Sequence, residues 1–215
     1  MKVFIDTADI KEITELNEWG IIDGVTTNPT LIAKTGFSQD TIIKTIAEIV
    51  QGPISAEVIS QDAEGMINEA YILRQLGQQI VIKIPCTVEG LKAVKVLSKE
   101  NIPVNVTLVF SLTQALLAVK AGASYVSPFI GRLEDIGENG VKLVCDMQQL
   151  FDNYGFSTQI IAASIRNLDH VKQMLLAGVA IATIPSSIIR QMIGHELTNK
   201  GLAQFLQDYY DSIHK

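Results

Sequence analysis

Cysteine and histidine are scarce in this sequence. The two cysteines, Cys86 and Cys145, have no spacing typical of a disulfide framework or a metal site. The three histidines, His170, His195 and His214, fall in segments of helical periodicity, and no cluster of His, Asp and Glu has metal-ligand spacing. The sequence therefore predicts no disulfide and no metal site, as is usual in a reducing cytoplasm.

Long apolar runs are also absent. The most apolar stretch, residues 174–189, is interrupted by Pro185 and two serines, whereas a membrane-spanning helix needs about 20 mostly apolar residues. Asp6 and Asp9 stand where a secretory signal would need an apolar core. A net charge of -6 argues against general binding of nucleic acid. We therefore expect a cytoplasmic protein with neither a membrane nor a nucleic-acid partner.

The sequence instead alternates between two patterns. Short apolar, β-branched runs are separated by longer segments of helical periodicity. The runs are residues 3–5, 24–26, 54–59, 80–84, 103–108, 125–128, 158–162 and 180–184. Strands alternating with helices indicate βαβ units and a parallel sheet, and eight units in this length favour an α/β (β/α)8 TIM barrel. A doubly wound sheet is the alternative, but the first run lacks the Gly-rich phosphate loop of that fold.

A single barrel domain is expected over residues 1–215, with residues 198–215 forming a C-terminal helix. This helix carries an apolar set, Leu202, Phe205, Leu206, Tyr209, Tyr210 and Ile213. It packs either on its own barrel or on a neighbouring subunit, and the sequence leaves both open. Elsewhere, Ser38, Asp62 and Thr87 are predicted N-caps, and Gly77 and Gly122 are predicted to end helices.

Polar residues collect at or near the predicted strand ends. They are Asp6, Asn28, Glu57, Lys83, Asn105, Thr107, Ser127, Arg132, Ser164 and Arg166. In a barrel, the C-terminal ends of the strands form the active-site face. Because burying an unpartnered polar group costs roughly 1–3 kcal/mol, one shared site explains these residues better than separate structural roles.

Lys83 is the most informative of them, because it stands inside the apolar run Ile80-Val81-Ile82-Lys83-Ile84. Lysine is almost never fully buried without a partner, so its ammonium either extends outward to water or serves chemistry. Burial favours the neutral amine, which can attack a ketone.

Four more of these residues have two interpretations each. Asn28 precedes a proline and is compatible with a simple turn, and Glu57 is compatible with a solvent-facing or paired carboxylate. Arg132 and Arg166 each follow a predicted strand, so they either are surface charges or face a common phosphate, which arginine forks match.

Together these segments resemble the transaldolase family, specifically its short subfamily. The resemblance is carried, in family order and over nearly the whole chain, by Phe4-Ile5-Asp6-Thr7-Ala8, Gly24-Val25-Thr26-Thr27-Asn28-Pro29-Thr30, Val81-Ile82-Lys83-Ile84-Pro85, Asn105-Val106-Thr107, Ser127-Pro128-Phe129-Ile130-Gly131-Arg132 and Ala163-Ser164-Ile165-Arg166-Asn167.

The resemblance implies a cofactor-free transfer of a dihydroxyacetone unit between sugar phosphates. Lys83 forms the Schiff base, Asp6 takes the C4 hydroxyl proton, and Glu57 with Thr107 holds a proton-shuttling water. Substrate contacts are implied for Asn28, Asn105, Ser127 and Phe129. Contacts to the substrate phosphate are implied for Arg132, Ser164 and Arg166. The implied reaction converts sedoheptulose 7-phosphate and glyceraldehyde 3-phosphate into erythrose 4-phosphate and fructose 6-phosphate, in the pentose phosphate pathway. Some members of the subfamily are decamers, so a homo-oligomer is expected.

The related fructose-6-phosphate aldolases release dihydroxyacetone instead of transferring it. They typically have Gln at the position of Glu57 and Tyr at that of Phe129, so both positions favour the transferase. The sequence also leaves open a sugar-phosphate-binding barrel without catalysis and a Schiff-base aldolase acting on deoxyribose phosphate.

Overall fold

A computed structural model describes residues 1–213 of the chain, and its centre is a closed barrel of eight parallel strands. Each strand pairs with the next in chain order, and β8 returns to pair with β1. The strands are β1 Lys2–Asp6, β2 Gly24–Thr26, β3 Ile54–Glu57, β4 Ile80–Pro85, β5 Val104–Val109, β6 Tyr125–Pro128, β7 Gln159–Ala162 and β8 Ile181–Ile184. The predicted (β/α)8 barrel is therefore confirmed, and the doubly wound sheet is wrong.

Helices surround the barrel and continue beyond the eighth unit. In residues 1–213 they are α1 Ile10–Glu18, α2 Pro29–Thr35, α3 Gln39–Ile49, α4 Ala63–Arg74, α5 Val88–Lys99, α6 Leu112–Ala121, α7 Ile130–Glu134, α8 Gly140–Tyr154, α9 Leu168–Leu176, α10 Ser186–Met192 and α11 Glu196–Ile213. The predicted C-terminal helix is α11, which begins two residues earlier than expected. Residues 214 and 215, and with them the helical placement of His214, lie outside the described residues.

The local signals located most element ends. Ser38, Asp62 and Thr87 each cap a helix by accepting a backbone N–H three residues ahead, and Gly122 ends α6 with a left-handed φ of 100°. The prediction for Gly77 is wrong, because α4 already ends at Arg74.

The third strand is shorter than predicted. It ends at Glu57 and not at residue 59. Beyond that point the amides of Ile59 and Ser60 donate to the carboxylate of Glu69, at 2.6 and 3.0 Å. A side chain of α4 therefore takes the hydrogen bonds that a neighbouring strand would otherwise accept.

Alternation along the strands separates an outer core from the barrel lumen. Residues such as Ile5, Ile54 and Ile82 face the helices and belong to the main apolar cluster. The intervening positions face inward, where Phe4, Ile161 and Ile181 form a separate small cluster. This cluster fills the lumen near the start of the strands, so an open site is left only near their C-terminal ends.

None of the helices that the structure describes is long and apolar enough to cross a bilayer.

Candidate active site

A cavity of about 140 Å³ opens at the C-terminal ends of the strands. Its lining consists of Asp6, Thr26, Asn28, Lys83, Ser127, Phe129, Arg132, Ala163, Ser164 and Thr183. Seven of the eleven predicted site residues are in this set. The remaining four, Glu57, Asn105, Thr107 and Arg166, lie around it without lining it.

Lys83 points into the lumen and is 5% exposed. Its ammonium donates a hydrogen bond to the carbonyl oxygen of Thr27 at 2.9 Å and pairs with Oε2 of Glu57, also at 2.9 Å. The outward-extended conformation considered from the sequence is therefore wrong. A buried lysine with a carboxylate as its partner can lose its proton to that carboxylate when an uncharged electrophile enters the cavity.

Glu57 and Thr107 lie beside the cavity on β3 and β5, the strands on either side of β4, which carries Lys83. Glu57 is the paired carboxylate that one interpretation of the sequence expected, although its partner is buried, and its side chain is 14% exposed. The hydroxyl of Thr107 is fully buried and has no hydrogen-bond partner among the described residues. An unpartnered buried hydroxyl has a free energy cost, so the hydroxyl of Thr107 is a candidate for binding water or a ligand.

Asp6 ends β1, with one strand between it and the strand of Glu57, and its environment is different. Its Oδ1 accepts a hydrogen bond from the hydroxyl of Thr26 at 2.9 Å, and Thr26 shares a second bond with Thr183 at 2.6 Å. Burial raises the pKa of Asp6 above its ordinary value, although the nearby charge of Lys83 opposes this effect. Asp6 is therefore a stronger base than an exposed aspartate.

Sequence reasoning missed Thr26 and Thr183. Both lie two residues after inward-facing positions, Gly24 and Ile181, so strict period-two counting within each strand would have identified them.

The amide of Asn105 is fully buried and connects three strands. Its Nδ2 donates to Oγ of Ser55 at 3.2 Å, and its Oδ1 accepts from the hydroxyl of Ser127 at 2.8 Å. Only Ser127 of the three lines the cavity. Asn105 therefore orients Ser127, whose hydroxyl proton is donated to Asn105 while its oxygen can still accept a hydrogen bond. Ser55 is a further contributor that the sequence analysis missed.

Asn28 combines both of its predicted interpretations. It caps α2 by accepting the N–H of Leu31 at 3.0 Å, and it also lines the cavity.

Phe129 and Arg132 form one side of the cavity. The guanidinium of Arg132 lies over the Phe129 ring, 5.0 Å from its centroid, and the Phe110 ring supports Phe129 with centroids 5.9 Å apart. Stacking on an aromatic face fixes the position of an arginine. Phe110 was not predicted, and no local pattern distinguishes it.

Ser164 and Arg166 follow β7, the strand next to β6, so they lie beside Phe129 and Arg132. Ser164 lines the cavity and has a left-handed φ of 58°, a strained conformation of the kind that clusters at functional sites. The guanidinium of Arg166 lies outside the lining and pairs with both carboxylate oxygens of Asp135. His170, to which the sequence analysis gave no role, accepts the backbone N–H of Arg166 at 3.3 Å.

In residues 1–213 no group of three or more His, Cys, Asp and Glu side chains is arranged to hold a metal ion.

The chain is similar over nearly its whole length to one family of known proteins. The family model described as Transaldolase/Fructose-6-phosphate aldolase matches residues 3–214. A probable transaldolase of Coprothermobacter proteolyticus is 58% identical over 209 residues, which are 97% of this chain and 96% of that protein. A probable transaldolase of Aquifex aeolicus is 56% identical, with the same two coverages.

A solved structure shares the architecture alone. Thiamine phosphate pyrophosphorylase from Pyrococcus furiosus superposes with a TM-score of 0.59 at 16% identity, over 86% of this chain and 85% of that one.

Proposed function

The chain belongs to the transaldolase/fructose-6-phosphate aldolase family and is a transaldolase, and from this we propose that it transfers a dihydroxyacetone unit between sugar phosphates through a Schiff base on Lys83. The reaction is sedoheptulose 7-phosphate and glyceraldehyde 3-phosphate going to erythrose 4-phosphate and fructose 6-phosphate, as in the pentose phosphate pathway. The observation that carries the proposal is the buried ammonium of Lys83, which lines the cavity and pairs with Glu57.

Schiff-base formation begins with transfer of the Lys83 proton to Glu57, the nearest carboxylate at 2.9 Å. The free amine attacks the ketone carbon of the donor, and loss of water from the resulting carbinolamine gives the iminium. We assign Glu57 and the unpartnered hydroxyl of Thr107 to the water that carries protons in this step.

Carbon–carbon cleavage is the next step, and it takes place at Asp6 on β1. Asp6 accepts the C4 hydroxyl proton, the C3–C4 bond breaks, and its electron pair moves into the iminium to give an enamine. The raised pKa of Asp6 suits this base. The enamine then attacks the aldehyde carbon of the acceptor, Asp6 returns the proton to the new alkoxide, and hydrolysis releases the ketose product.

Binding residues surround this chemistry. Asn28 and Ser127 line the cavity beside Lys83, so we assign them to the hydroxyls of the dihydroxyacetone unit, with Asn105 behind Ser127. We assign the substrate phosphate to Arg132 and Ser164, which line the cavity, and to Arg166, which lies next to them just outside the lining.

The test supplies fructose 6-phosphate with and without erythrose 4-phosphate and follows glyceraldehyde 3-phosphate and sedoheptulose 7-phosphate. We expect catalytic product only when the acceptor is present. Sustained glyceraldehyde 3-phosphate and free dihydroxyacetone without acceptor would instead show a fructose-6-phosphate aldolase. A folded protein that is silent in both reactions and is not trapped by borohydride would indicate a binding barrel.

We further propose that the chain is one domain that acts as a cytoplasmic homo-oligomer, with α11 docked on a neighbouring subunit. No residue of Glu196–Ile213 is buried, and its apolar residues include Leu202 and Phe205, which are 69% and 74% exposed. A helix with an exposed apolar stripe gains stability by covering it. The cytoplasm is supported by two free cysteines, Cys86 and Cys145.

A further inference from the structure

Arg166 and Asp135 form a two-pronged ion pair beside the cavity. Nη2 donates to Oδ2 at 2.6 Å, and Nη1 makes the parallel contact to Oδ1. The side chains are 44% and 53% exposed. Exposed pairs usually contribute little, but bidentate arginine–carboxylate geometry is the exception. The guanidinium also lowers the pKa of Asp135, so the pair stays charged at neutral pH.

The rest of the Arg166 side chain and its backbone N–H also make close contacts. The side chain passes over the α-carbon of Gly131, where a Cβ would lie 2.4 Å from Nε and 2.6 Å from Cδ. The backbone N–H of Arg166 is bound by Nδ1 of buried His170, whose Nε2 lies 3.0 Å from Glu134. Because Nδ1 accepts a hydrogen bond, the ring proton belongs on Nε2, where it is donated to Glu134.

These contacts connect Arg166 to the segment that carries the other arginine of the cavity. Gly131, Glu134 and Asp135 all belong to α7 or follow it directly, and Arg132 is part of the same helix. α7 therefore links the two arginines.

The ion pair with Asp135 also leaves some N–H donors of the Arg166 guanidinium unused. A guanidinium has five N–H groups, and a carboxylate at its end uses one from each Nη. The Nε–H and the two outer Nη hydrogens remain, along edges that face away from Asp135. A phosphate can bind one of these edges while the ion pair persists.

We propose that Asp135 is a positioning residue that holds the Arg166 guanidinium in the orientation that binds the substrate phosphate. The inference rests on the proposed function, in which Arg166 contacts that phosphate. Asp135 touches no reacting atom, so it acts on binding of phosphorylated substrates and not on the chemical step.

The test is Asp135→Asn, which keeps the shape of the side chain and removes its charge. We expect the KM for erythrose 4-phosphate and the calorimetric Kd for inorganic phosphate to rise about fivefold, less than for complete loss of a charge-assisted contact. The kcat at saturation should stay near that of the wild type, and Asp135→Glu should recover part of the affinity. The matched control is Glu15→Gln, which removes a similarly exposed pair with Arg190, 2.7 Å apart, on the outside of the barrel; it should leave both constants unchanged.

Two results would overturn the proposal. Unchanged constants in Asp135→Asn would mean that the ion pair does not position Arg166. Lower constants would mean that Asp135 competes with phosphate for the guanidinium.

A parallel Arg166→Ala variant separates this inference from the function on which it rests. A raised KM in Arg166→Ala with no change in Asp135→Asn removes the inference alone. An unchanged KM in Arg166→Ala removes the phosphate assignment and the inference with it. If both single variants raise the KM, Asp135→Asn should add nothing to Arg166→Ala, because Asp135 acts through that side chain.

Discussion

At the scale of single residues, one lysine and two carboxylates in unlike environments lie near the C-terminal ends of the strands. Glu57 is in direct contact with the Lys83 ammonium, whereas Asp6 is bound to the hydroxyl of Thr26 and has a raised pKa. Pairs of titratable groups with different environments are suited to separate acid and base roles. This difference supports the proposed division, with Glu57 serving imine formation and Asp6 serving bond cleavage.

Lys83→Met tests the nucleophile. We expect turnover and the borohydride-trapped adduct to disappear, because no other amine lines the cavity among residues 1–213. The free energy of unfolding should fall by up to about 3 kcal/mol, since Glu57 loses the partner of its buried charge. Adding Glu57→Gln should recover stability but not activity, as measured by denaturant unfolding. Retained turnover would disprove the assignment.

Asp6→Asn tests the cost of a buried base. The raised pKa means that folded Asp6 binds a proton more tightly than unfolded Asp6, so its ionisation lowers stability as the pH rises between the two pKa values. At neutral pH we therefore expect Asp6→Asn to unfold at higher denaturant concentration than the wild type, while its activity is lost. The gain is worth about 1.4 kcal/mol per unit of pKa shift, and it should shrink toward acid pH. A destabilised variant at neutral pH would contradict this reasoning.

Phe129→Tyr tests the choice between transfer and release. The new hydroxyl enters the cavity, where it can bind the water that hydrolyses the intermediate. We expect a severalfold increase in dihydroxyacetone release relative to transfer. Phosphate binding should stay normal, because a tyrosine ring also supports Arg132. Phe110→Tyr is the matched control one ring farther away, and an equal effect there would remove the role of Phe129.

At the scale of elements, β5 shows how the barrel directs side chains at its rim. Its pairing with β6 shifts register between Val106 and Val109, and Leu108 in between has a left-handed φ of 57°. Val109 consequently packs in the outer core, and Phe110 reaches Phe129. Such bulges often re-aim side chains next to active sites. The bulge thus supplies the ring that supports the phosphate side of the cavity.

Gly24, the first residue of β2, is tightly packed at the closed end of the lumen. A Cβ on Gly24 would lie 2.6 Å from both the Phe4 ring and the carbonyl oxygen of Pro53. We expect Gly24→Ala to lower the free energy of unfolding by about 1–3 kcal/mol through overpacking. Gly201→Ala in α11 is the control, because its Cβ meets nothing within 4 Å; alanine should be neutral or stabilising there by up to about 1 kcal/mol. Equal stability of both variants would mean that this end of the lumen is easily repacked.

At the scale of the whole molecule, α11 is the helix of residues 1–213 that buries no side chain. Its exposed apolar residues include Leu202, Phe205, Leu206, Tyr209 and Ile213, which recur at helical spacing on one face. Within the described residues, the other helices all bury at least one side chain, whereas α11 buries none. This contrast supports the interpretation in which the helix covers a neighbouring subunit.

The double variant Phe205→Glu/Tyr209→Glu tests that interpretation. We expect multi-angle light scattering to give a smaller assembly than the wild type, because two charges on the apolar face oppose its burial. Gln204→Glu/Gln207→Glu adds the same charge at polar positions of the same helix and should leave the mass unchanged. A monomeric wild type, or equal masses in all three proteins, would contradict the docking of α11.

Periodicity and capping made the fold and part of the site predictable. The alternation of strands and helices gave the eight units, and a lysine in an apolar run gave Lys83, because these signals depend on residues that are neighbours in the chain. Ser38, Asp62 and Thr87 were readable as caps for the same reason. The prediction that Gly77 ends a helix was wrong, because a glycine near a helix end does not by itself show that the helix ends there.

Periodicity and capping could not predict contacts between residues that are far apart in the chain. Thr26 meets Thr183 from 157 positions away, and Arg166 meets Asp135 from 31 positions away. The sequence alone determined which residue types stand at the ends of the strands, because secondary structure follows local periodicity. Only the tertiary structure decided which of them meet, because closing eight strands into a ring brings distant segments together at one end.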